Sequence, residues 1–145
     1  IGAALTFLRA NPNFDLTRGQ LVEKNILFDI KRTGGPSGGM MFALGIIDRL
    51  TPGQLTGGKH IAGTGTIDPA GNVGAIGGIR HKLYGAADAG ATIFLAPESN
   101  CDEVVGHVPS GLTVVKVKTL SEAKSALEKI STGTNPATLP TCSAK

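Results

Sequence analysis

A serine and a lysine each stand beside glycines at the start of a predicted helix. Ser37 lies within GGPSGG (34–39), and Lys82 follows GGIRH (77–81). A serine hydroxyl becomes an effective nucleophile when a neighbouring base takes its proton, and a neutral amine is able to act as that base. The two residues therefore predict a hydrolase that works through a serine and a lysine.

The serine run fits the pattern G-x-S-x-G, in which glycines permit a sharp turn into a helix. The serine then projects from the helix N-terminus, where free N–H groups favour negative charge and can form an oxyanion hole. A competing interpretation is that Ser37 only caps a helix in a glycine-rich turn. An α/β-hydrolase triad would need Asp88 or Asp102 with His107, and about 36 residues before Ser37 are too few for the strands that precede the nucleophile in that fold.

The surroundings of Lys82 are more informative than the lysine itself, because most helix lysines are solvated. Small and apolar residues flank it in AIGGI (75–79) and at Leu83, Ala86 and Ala87. A lysine in water has a pKa of about 10.4 and is a poor base at neutral pH. Burial disfavours the charged form of a lysine and makes the amine a better base. We therefore expect the apolar frame to bury the amine of Lys82.

Periodicity and turn residues divide the chain into strands that alternate with helices. The predicted strands are Asn25–Lys31, Lys59–Ile67, Asn72–Ile76, Thr92–Ala96 and Leu112–Val117. The predicted helices are Ser37–Leu50, Ile79–Ala89, Asn100–Val105 and Leu120–Ile130, the last with Ser121 as its N-cap. A hairpin turn at 68–71 joins two of the strands, residues 1–9 are ambiguous between strand and helix, and 10–24 form a loop.

This alternation predicts an α/β fold of the α+β type, with helices packed on a sheet that is mixed because one strand pair is a hairpin. The 145 residues fit a single domain, 1–145, with a core at about 25–131 and an extended tail at 132–145. Because the chain starts at Ile1 and not at a methionine, we expect it to be a piece of a longer protein.

Composition and motif order argue against several classes of function. Lys and Arg exceed Asp and Glu by 14 − 11 = 3, and this surplus is scattered, so nucleic acid is not an expected partner. No run approaches the roughly 18 apolar residues of a membrane span, and no signal peptide is visible. GQLTGGK (53–59) has the spacing of a phosphate-binding loop, but His60 stands where a Ser or Thr would hold magnesium and a helix precedes the run. We expect no cofactor and no metal in this chain.

Two cysteines, Cys101 and Cys142, lack the spacing of a zinc site. They are either two free thiols or a disulfide that ties the tail to the domain. A disulfide would close a loop of about 40 residues, stabilise the fold by roughly 3–4 kcal/mol in the chain-entropy model, and indicate an oxidising compartment.

Three separated motifs, GPSxG, AGTGTI and GGIxxK, occur in order within GGPSGGMMFALGIIDRLTPGQLTGGKHIAGTGTIDPAGNVGAIGGIRHKL (34–83). This segment resembles the proteolytic domain of Lon-type Ser–Lys peptidases. It is most similar to the bacterial branch that combines a PDZ domain with a membrane-tethered protease domain. The resemblance extends from about Phe28 to Ile130.

The resemblance implies a Lon protease-like fold and a serine endopeptidase that forms an acyl-enzyme. Ser37 would be the nucleophile, Lys82 the general base, and Thr64 the hydrogen-bond partner of Lys82. The loop at Gly35 and Pro36 would supply the oxyanion hole.

The resemblance also implies partners and a location. Substrates would be unfolded or flexible polypeptides, the chain would form a homo-oligomer that is often a hexameric ring, and a PDZ domain would precede it. The location would be outside the cytoplasmic membrane on an anchor, with the cytoplasm as the alternative. No AAA+ ATPase module is expected in this chain.

Two residues depart from the family pattern. Gly34 occupies a position that is usually acidic in ATP-dependent Lon, and Gly38 occupies one that is commonly Ala. Gly34 favours the PDZ-type branch and leaves open a catalytically silent binding or assembly module. The other open alternative is an esterase of α/β-hydrolase type that uses His107.

Overall fold

The computed structural model describes residues 36–144. The predicted strand Asn25–Lys31, the segments 1–9 and 10–24, and the glycines at 34 and 35 lie outside the described residues.

Helices and strands follow one another largely as the sequence predicts. The helices are α1 (Gly39–Leu50), α2 (Ile79–Asp88), α3 (Cys101–Val104) and α4 (Leu120–Ser131), with 3-10 turns at Pro36–Gly38, Glu98–Asn100 and Pro136–Thr138. The strands are β1 (Ile61–Gly63), β2 (Thr66–Ile67), β3 (Val73–Gly74), β4 (Ile93–Pro97) and β5 (Thr113–Val117). The fold is therefore α/β and combines parallel with antiparallel strands; among residues 36–144 these lie in two separate sheets.

The parallel sheet has the order β1-β4-β5, and its central strand, β4, is buried at every position. Parallel strands with both faces covered read as continuous apolar runs, and IFLAP (93–97) has that character. Side chains alternate between two cores: Ile93 and Leu95 pack with α1 and α4, whereas Phe94 and Ala96 pack with α2 and α3.

A short hairpin, β2 with β3, stands apart from this sheet. Its turn is the predicted one, and the carboxylate of Asp68 accepts hydrogen bonds from both the side-chain and the backbone N–H of Asn72. These bonds lower the pKa of Asp68. The predicted single strand Lys59–Ile67 is wrong, because the chain leaves the parallel sheet at Thr64 and Gly65 to contact the turn that holds Ser37.

Helix α4 begins two residues earlier than its predicted cap implies. Thr119, and not Ser121, is the N-cap, and its hydroxyl oxygen accepts the N–H of Glu122 at 3.1 Å. The Glu122 carboxylate in turn accepts the N–H of Lys118 at 2.8 Å. The reciprocal bonds form a variant of the capping box, in which a hydroxyl and a carboxylate satisfy amides at the helix start.

The tail is pinned to the domain, as one of the two cysteine interpretations predicts. Cys101 and Cys142 form a disulfide with a Cα–Cα distance of 5.0 Å across a separation of 41 residues. Leu139 is buried, and the carbonyl of Pro140 accepts the N–H of Lys116 at 2.9 Å, so the tail pairs with the outer edge of β5. An edge strand covered in this way is protected from pairing with other chains.

Two adjacent glycines at the start of α1 are predicted to respond oppositely to the same substitution. A Cβ at Gly39 would lie 2.9 Å from Cγ2 of Ile67, whose β-branched side chain has little room to move. A Cβ at Gly38 would meet only the ring of Phe42, at 3.0 Å, and Gly38 has helical φ and ψ. We expect Gly39→Ala to lower the free energy of unfolding by about 1–3 kcal/mol. Gly38→Ala should stay within about 1 kcal/mol of wild type. Urea denaturation measures both; equal effects would contradict the packing described here.

Opening the disulfide is predicted to destabilise the fold. The chain-entropy model gives about 4 kcal/mol for a loop of this size, as an upper value. We expect the double variant Cys101→Ser, Cys142→Ser, and the reduced wild type, to unfold at similar, lower urea concentrations than the oxidised chain. If a reductant lowers the urea midpoint of the double variant as much as that of the wild type, the loss of stability does not come from this bond.

Candidate active site

Ser37 occupies the middle of the 3-10 turn Pro36–Gly38, immediately before α1, and its side chain is half-buried. Gly38 is the N-cap of α1 and provides no side-chain hydrogen bond to the helix. The first amides of a helix have no intrahelical acceptor, and the helix dipole is positive at this end. Ser37 therefore lies where developing negative charge is favoured.

The backbone of Ser37 is bound to the strand that carries the AGTG motif. Its carbonyl oxygen accepts the N–H of Gly65 at 2.8 Å and the Oγ1–H of Thr64 at 3.0 Å. In return, the carbonyl of Gly65 accepts the N–H of Met40 in the first turn of α1 at 3.1 Å. Two motifs that are separated in sequence are thus joined by three hydrogen bonds around the candidate nucleophile.

Thr64 is one of two buried polar side chains in the part of the chain that the structure describes, with an exposed fraction of 3%. Its single hydroxyl hydrogen is directed to the carbonyl of Ser37. The expected bond with Lys82 would use the hydroxyl oxygen as the acceptor, and it stays a prediction. A hydroxyl oxygen also has lone pairs that can accept a hydrogen from an ammonium. The structure thus places Thr64 as the support of the nucleophile turn.

Lys82 lies in the first turn of α2, and its N–H is bonded to the carbonyl of Gly78 at 3.3 Å. Its side chain is exposed in the part of the chain that the structure describes. The prediction that small and apolar neighbours bury it is therefore wrong there. The reason is that α2 directs only Ile79 and Leu83 into the core. The neighbouring glycines, such as Gly77, face open space and do not cover the lysine.

The position of α2 depends on a residue that the sequence analysis missed. Asn100 is 2% exposed, and its side-chain amide binds both backbone groups of Ile76, which precedes α2. Oδ1 accepts the Ile76 N–H at 2.9 Å, and Nδ2 donates to the Ile76 carbonyl at 2.9 Å. A second bond, from Arg80 Nε to the carbonyl of Glu103 at 3.2 Å, joins α2 to α3. The one signal in the sequence is an asparagine three positions after a buried strand, a residue type that is common in turns.

The predicted oxyanion loop needs one correction from covalent chemistry. Pro36 has no backbone N–H and cannot donate a hydrogen bond. Gly35 lies outside the described residues, as does Gly34. Backbone donors at this turn must therefore come from Ser37, Gly38, the first residues of α1 or Gly35.

The competing motifs do not assemble into sites in the described residues. GQLTGGK (53–59) lies between α1 and β1, which is the reverse of the strand-then-helix order of a phosphate-binding loop. No side-chain hydrogen bond within residues 36–144 links His107 to Ser37 or to a carboxylate, so no triad forms there. The same residues contain no group of three His, Cys, Asp or Glu side chains arranged for a metal ion, and no helix long and apolar enough to cross a bilayer.

Comparison with known proteins places the same residues within one family. The model of the Lon protease (S16) C-terminal proteolytic domain matches residues 29–129. Lon protease 2 of Herpetosiphon aurantiacus is 36% identical over 128 residues, which cover 83% of this chain and 16% of that protein. Lon protease of Clostridioides difficile is 38% identical over 91 residues, which cover 61% of this chain and 11% of that protein.

The chain thus spans no more than about a sixth of the length of these relatives. The matched region includes the serine turn, the AGTG strand and the lysine helix, which are the elements that the hydrogen bonds bring together or position. On this combination of motif order and family match, the chain belongs to the family of Lon protease (S16) C-terminal proteolytic domains.

Proposed function

We propose that this domain is a serine endopeptidase in which Ser37 is the nucleophile and Lys82 the general base. The observation that carries the proposal is the position of Ser37, half-buried at a helix start without a side-chain cap and held by its carbonyl to the AGTG strand. Membership of the Lon proteolytic-domain family supports peptide-bond hydrolysis as the reaction.

The reaction would follow the acyl-enzyme route. Ser37 Oγ attacks the carbonyl carbon of the peptide bond while its proton moves to the Lys82 amine, which becomes an ammonium. The tetrahedral intermediate collapses as the ammonium returns the proton to the leaving amine. Water then attacks the ester carbonyl as Lys82 takes one of its protons. Lys82 returns that proton to Ser37 Oγ as the acyl–oxygen bond breaks, which releases the acid product and restores the free serine.

Stabilisation of the oxyanion would come from backbone amides at the serine turn. Donors at a helix N-terminus are fixed before the reaction and need no reorganisation as charge develops. The bonds to the Ser37 carbonyl hold this turn in place, so Thr64 would act on the reaction by positioning the nucleophile.

A lysine serves as a base only when its amine is neutral, and exclusion of water favours that form. Because Lys82 is exposed in the described residues, the proposal requires a cover, supplied by bound polypeptide substrate or by a neighbouring subunit of a homo-oligomer. A hexameric ring, a preceding PDZ domain and a membrane tether outside the cytoplasm are proposals for the whole protein. The Cys101–Cys142 disulfide supports an oxidising compartment.

The exposure of Lys82 also favours a second candidate, a catalytically silent binding or assembly module with the same fold. The two candidates differ in one chemical property, the reactivity of Ser37. A fluorophosphonate probe that labels Ser37 in the folded chain supports the peptidase, whereas a fully inert Ser37 supports the silent module.

Removal of either member of the pair is predicted to abolish cleavage. Ser37→Ala deletes the attacking oxygen, and Lys82→Gln deletes the proton acceptor while it keeps a polar side chain that is one bond shorter. We expect each to reduce hydrolysis of an unfolded polypeptide by at least about 1,000-fold, because the two residues act as a unit. Hydrolysis is followed by release of fluorescent fragments.

The matched control is Lys59→Gln, which changes an exposed lysine in the loop before β1. It should cleave at the wild-type rate. Wild-type activity in the Ser37→Ala or Lys82→Gln protein would refute the mechanism, provided that its circular dichroism matches that of the control.

Thr64 provides a separate test of how the nucleophile is held. Thr64→Val keeps the shape of the side chain but removes the hydrogen bond to the Ser37 carbonyl. We expect a loss of about 1 kcal/mol in the free energy of unfolding and roughly 10-fold slower acylation of Ser37. Thr64→Ser retains the hydroxyl and should restore most of the rate; if Val and Ser react alike, the hydrogen bond has no role in the reaction.

A further inference from the structure

The side chain of Asn100 forms a two-point clamp on the backbone just before the lysine helix. Both of its bonds to Ile76 are 2.9 Å long, and Nδ2 also donates to Glu103 Oε1 at 2.9 Å. A buried amide is costly unless its donors and acceptor are all bonded, and here they are. Its two bonds to the Ile76 backbone resemble those that a neighbouring β-strand would form with one residue.

Two glycines connect the clamped residue to the lysine helix. Gly77 and Gly78 lie between Ile76 and the start of α2, Gly78 has a φ of +70°, and a Cβ at either glycine would meet open space. Glycines permit many backbone conformations, so this connection is flexible unless contacts on either side fix it. The buried side chains of Ile76 and of α2 pack in one core, and the clamp fixes the Ile76 backbone. Because Lys82 is in the first turn of α2, its location depends on the Ile76 backbone together with these core contacts.

The backbone on either side of Asn100 is held by two further contacts. Asn100 ends the 3-10 turn Glu98–Asn100 that follows the central strand. In this turn the Glu98 carboxylate pairs with Lys116 and Lys118, each at 3.4 Å. The next residue, Cys101, is joined to the tail by the disulfide. The clamp therefore links the position of the lysine helix to that of the parallel sheet.

We infer that Asn100 is a positioning residue for Lys82, which it places by holding the Ile76 backbone. This inference rests on the proposed function, since it concerns the same pair of reacting groups. The Asn100 side chain bonds to the Ile76 backbone and to Glu103, and within residues 36–144 it forms no hydrogen bond with Ser37 or Lys82. Its effect on the reaction would therefore pass through the backbone that leads into α2.

The test compares two identical chemical changes at different places. In Asn100→Asp, the carboxylate still accepts the Ile76 N–H but cannot donate to the Ile76 carbonyl, and it faces the carboxylate of Glu103. In the control Asn135→Asp, the native side chain acts as an acceptor for the N–H of Ala137, a role that a carboxylate fulfils equally well. Thr119→Ala, at the cap of α4, provides a second control that lowers stability without contact with α2.

Two readouts are measured on the full chain at several pH values. The first is the rate at which a fluorophosphonate phosphonylates Ser37, with release of fluoride; the labelled residue is located by peptide mapping. The second is hydrogen exchange of the peptide that spans 75–83. We expect Ser37 of the Asn100→Asp chain to be phosphonylated about 10- to 100-fold more slowly, the loss typical of a displaced reacting group, with an altered pH profile and faster exchange in that peptide. Asn135→Asp and Thr119→Ala should leave the phosphonylation rate and its pH profile unchanged.

The results separate this inference from the proposed function. A wild-type chain that labels at Ser37, together with an Asn100→Asp chain that labels at the same rate and with the same pH profile, overturns the inference and leaves the peptidase intact. A Thr119→Ala chain as slow as Asn100→Asp also overturns it, because the loss would then come from stability alone. A wild-type chain whose Ser37 never labels contradicts the Ser–Lys pair itself, and the inference fails with it.

Discussion

The carbonyl oxygen of Ser37, which accepts hydrogen bonds from the Gly65 amide and the Thr64 hydroxyl, is the contact on which the candidate site depends. A serine at a glycine-rich helix start has many accessible backbone conformations, and glycine increases that freedom. Two donors on one acceptor select a single conformation of the turn. The same bonds require the chain to leave the parallel sheet after β1. The end of β1 and the fixed conformation of the serine turn therefore have the same cause.

The topology brings the loops that carry Thr64 and Asn100 to one edge of the parallel sheet. Thr64 follows the carboxyl end of β1, and Asn100 follows the carboxyl end of β4, the parallel neighbour of β1. Loops after parallel strands emerge on the same side, which is where α/β folds build sites. One loop positions the serine turn and the other positions the lysine helix, so the spacing of two adjacent strands sets the frame for both.

The sequence predicted the elements whose signals are local and missed those that need distant partners. Apolar spacing located α1 and α4, and the Asp68 turn with its Asn72 contacts located the hairpin. The role of Asn100 depends on Ile76, 24 positions away, and no periodicity reports such a bond. The choice of Thr119 over Ser121 as cap depends on where the bridge from Asn72 to Thr119 ends. The predicted Cys101–Cys142 bond is confirmed, although spacing alone left free thiols equally open.

The exposure of Lys82 follows from the same small residues that suggested its burial. Small residues lower the steric barrier to close approach, but they cover a neighbour only when another element packs against them. In residues 36–144, a side chain at either glycine before α2 would meet open space, and the buried apolar side chains of α2 face the core and not Lys82. Glycines beside a lysine leave room for another molecule to pack against it. If water is excluded from the amine only by that contact, the amine would act as a base only when substrate or a second subunit is bound. Under the proposed function, the open space beside Lys82 is therefore where a substrate or a second subunit would complete the site.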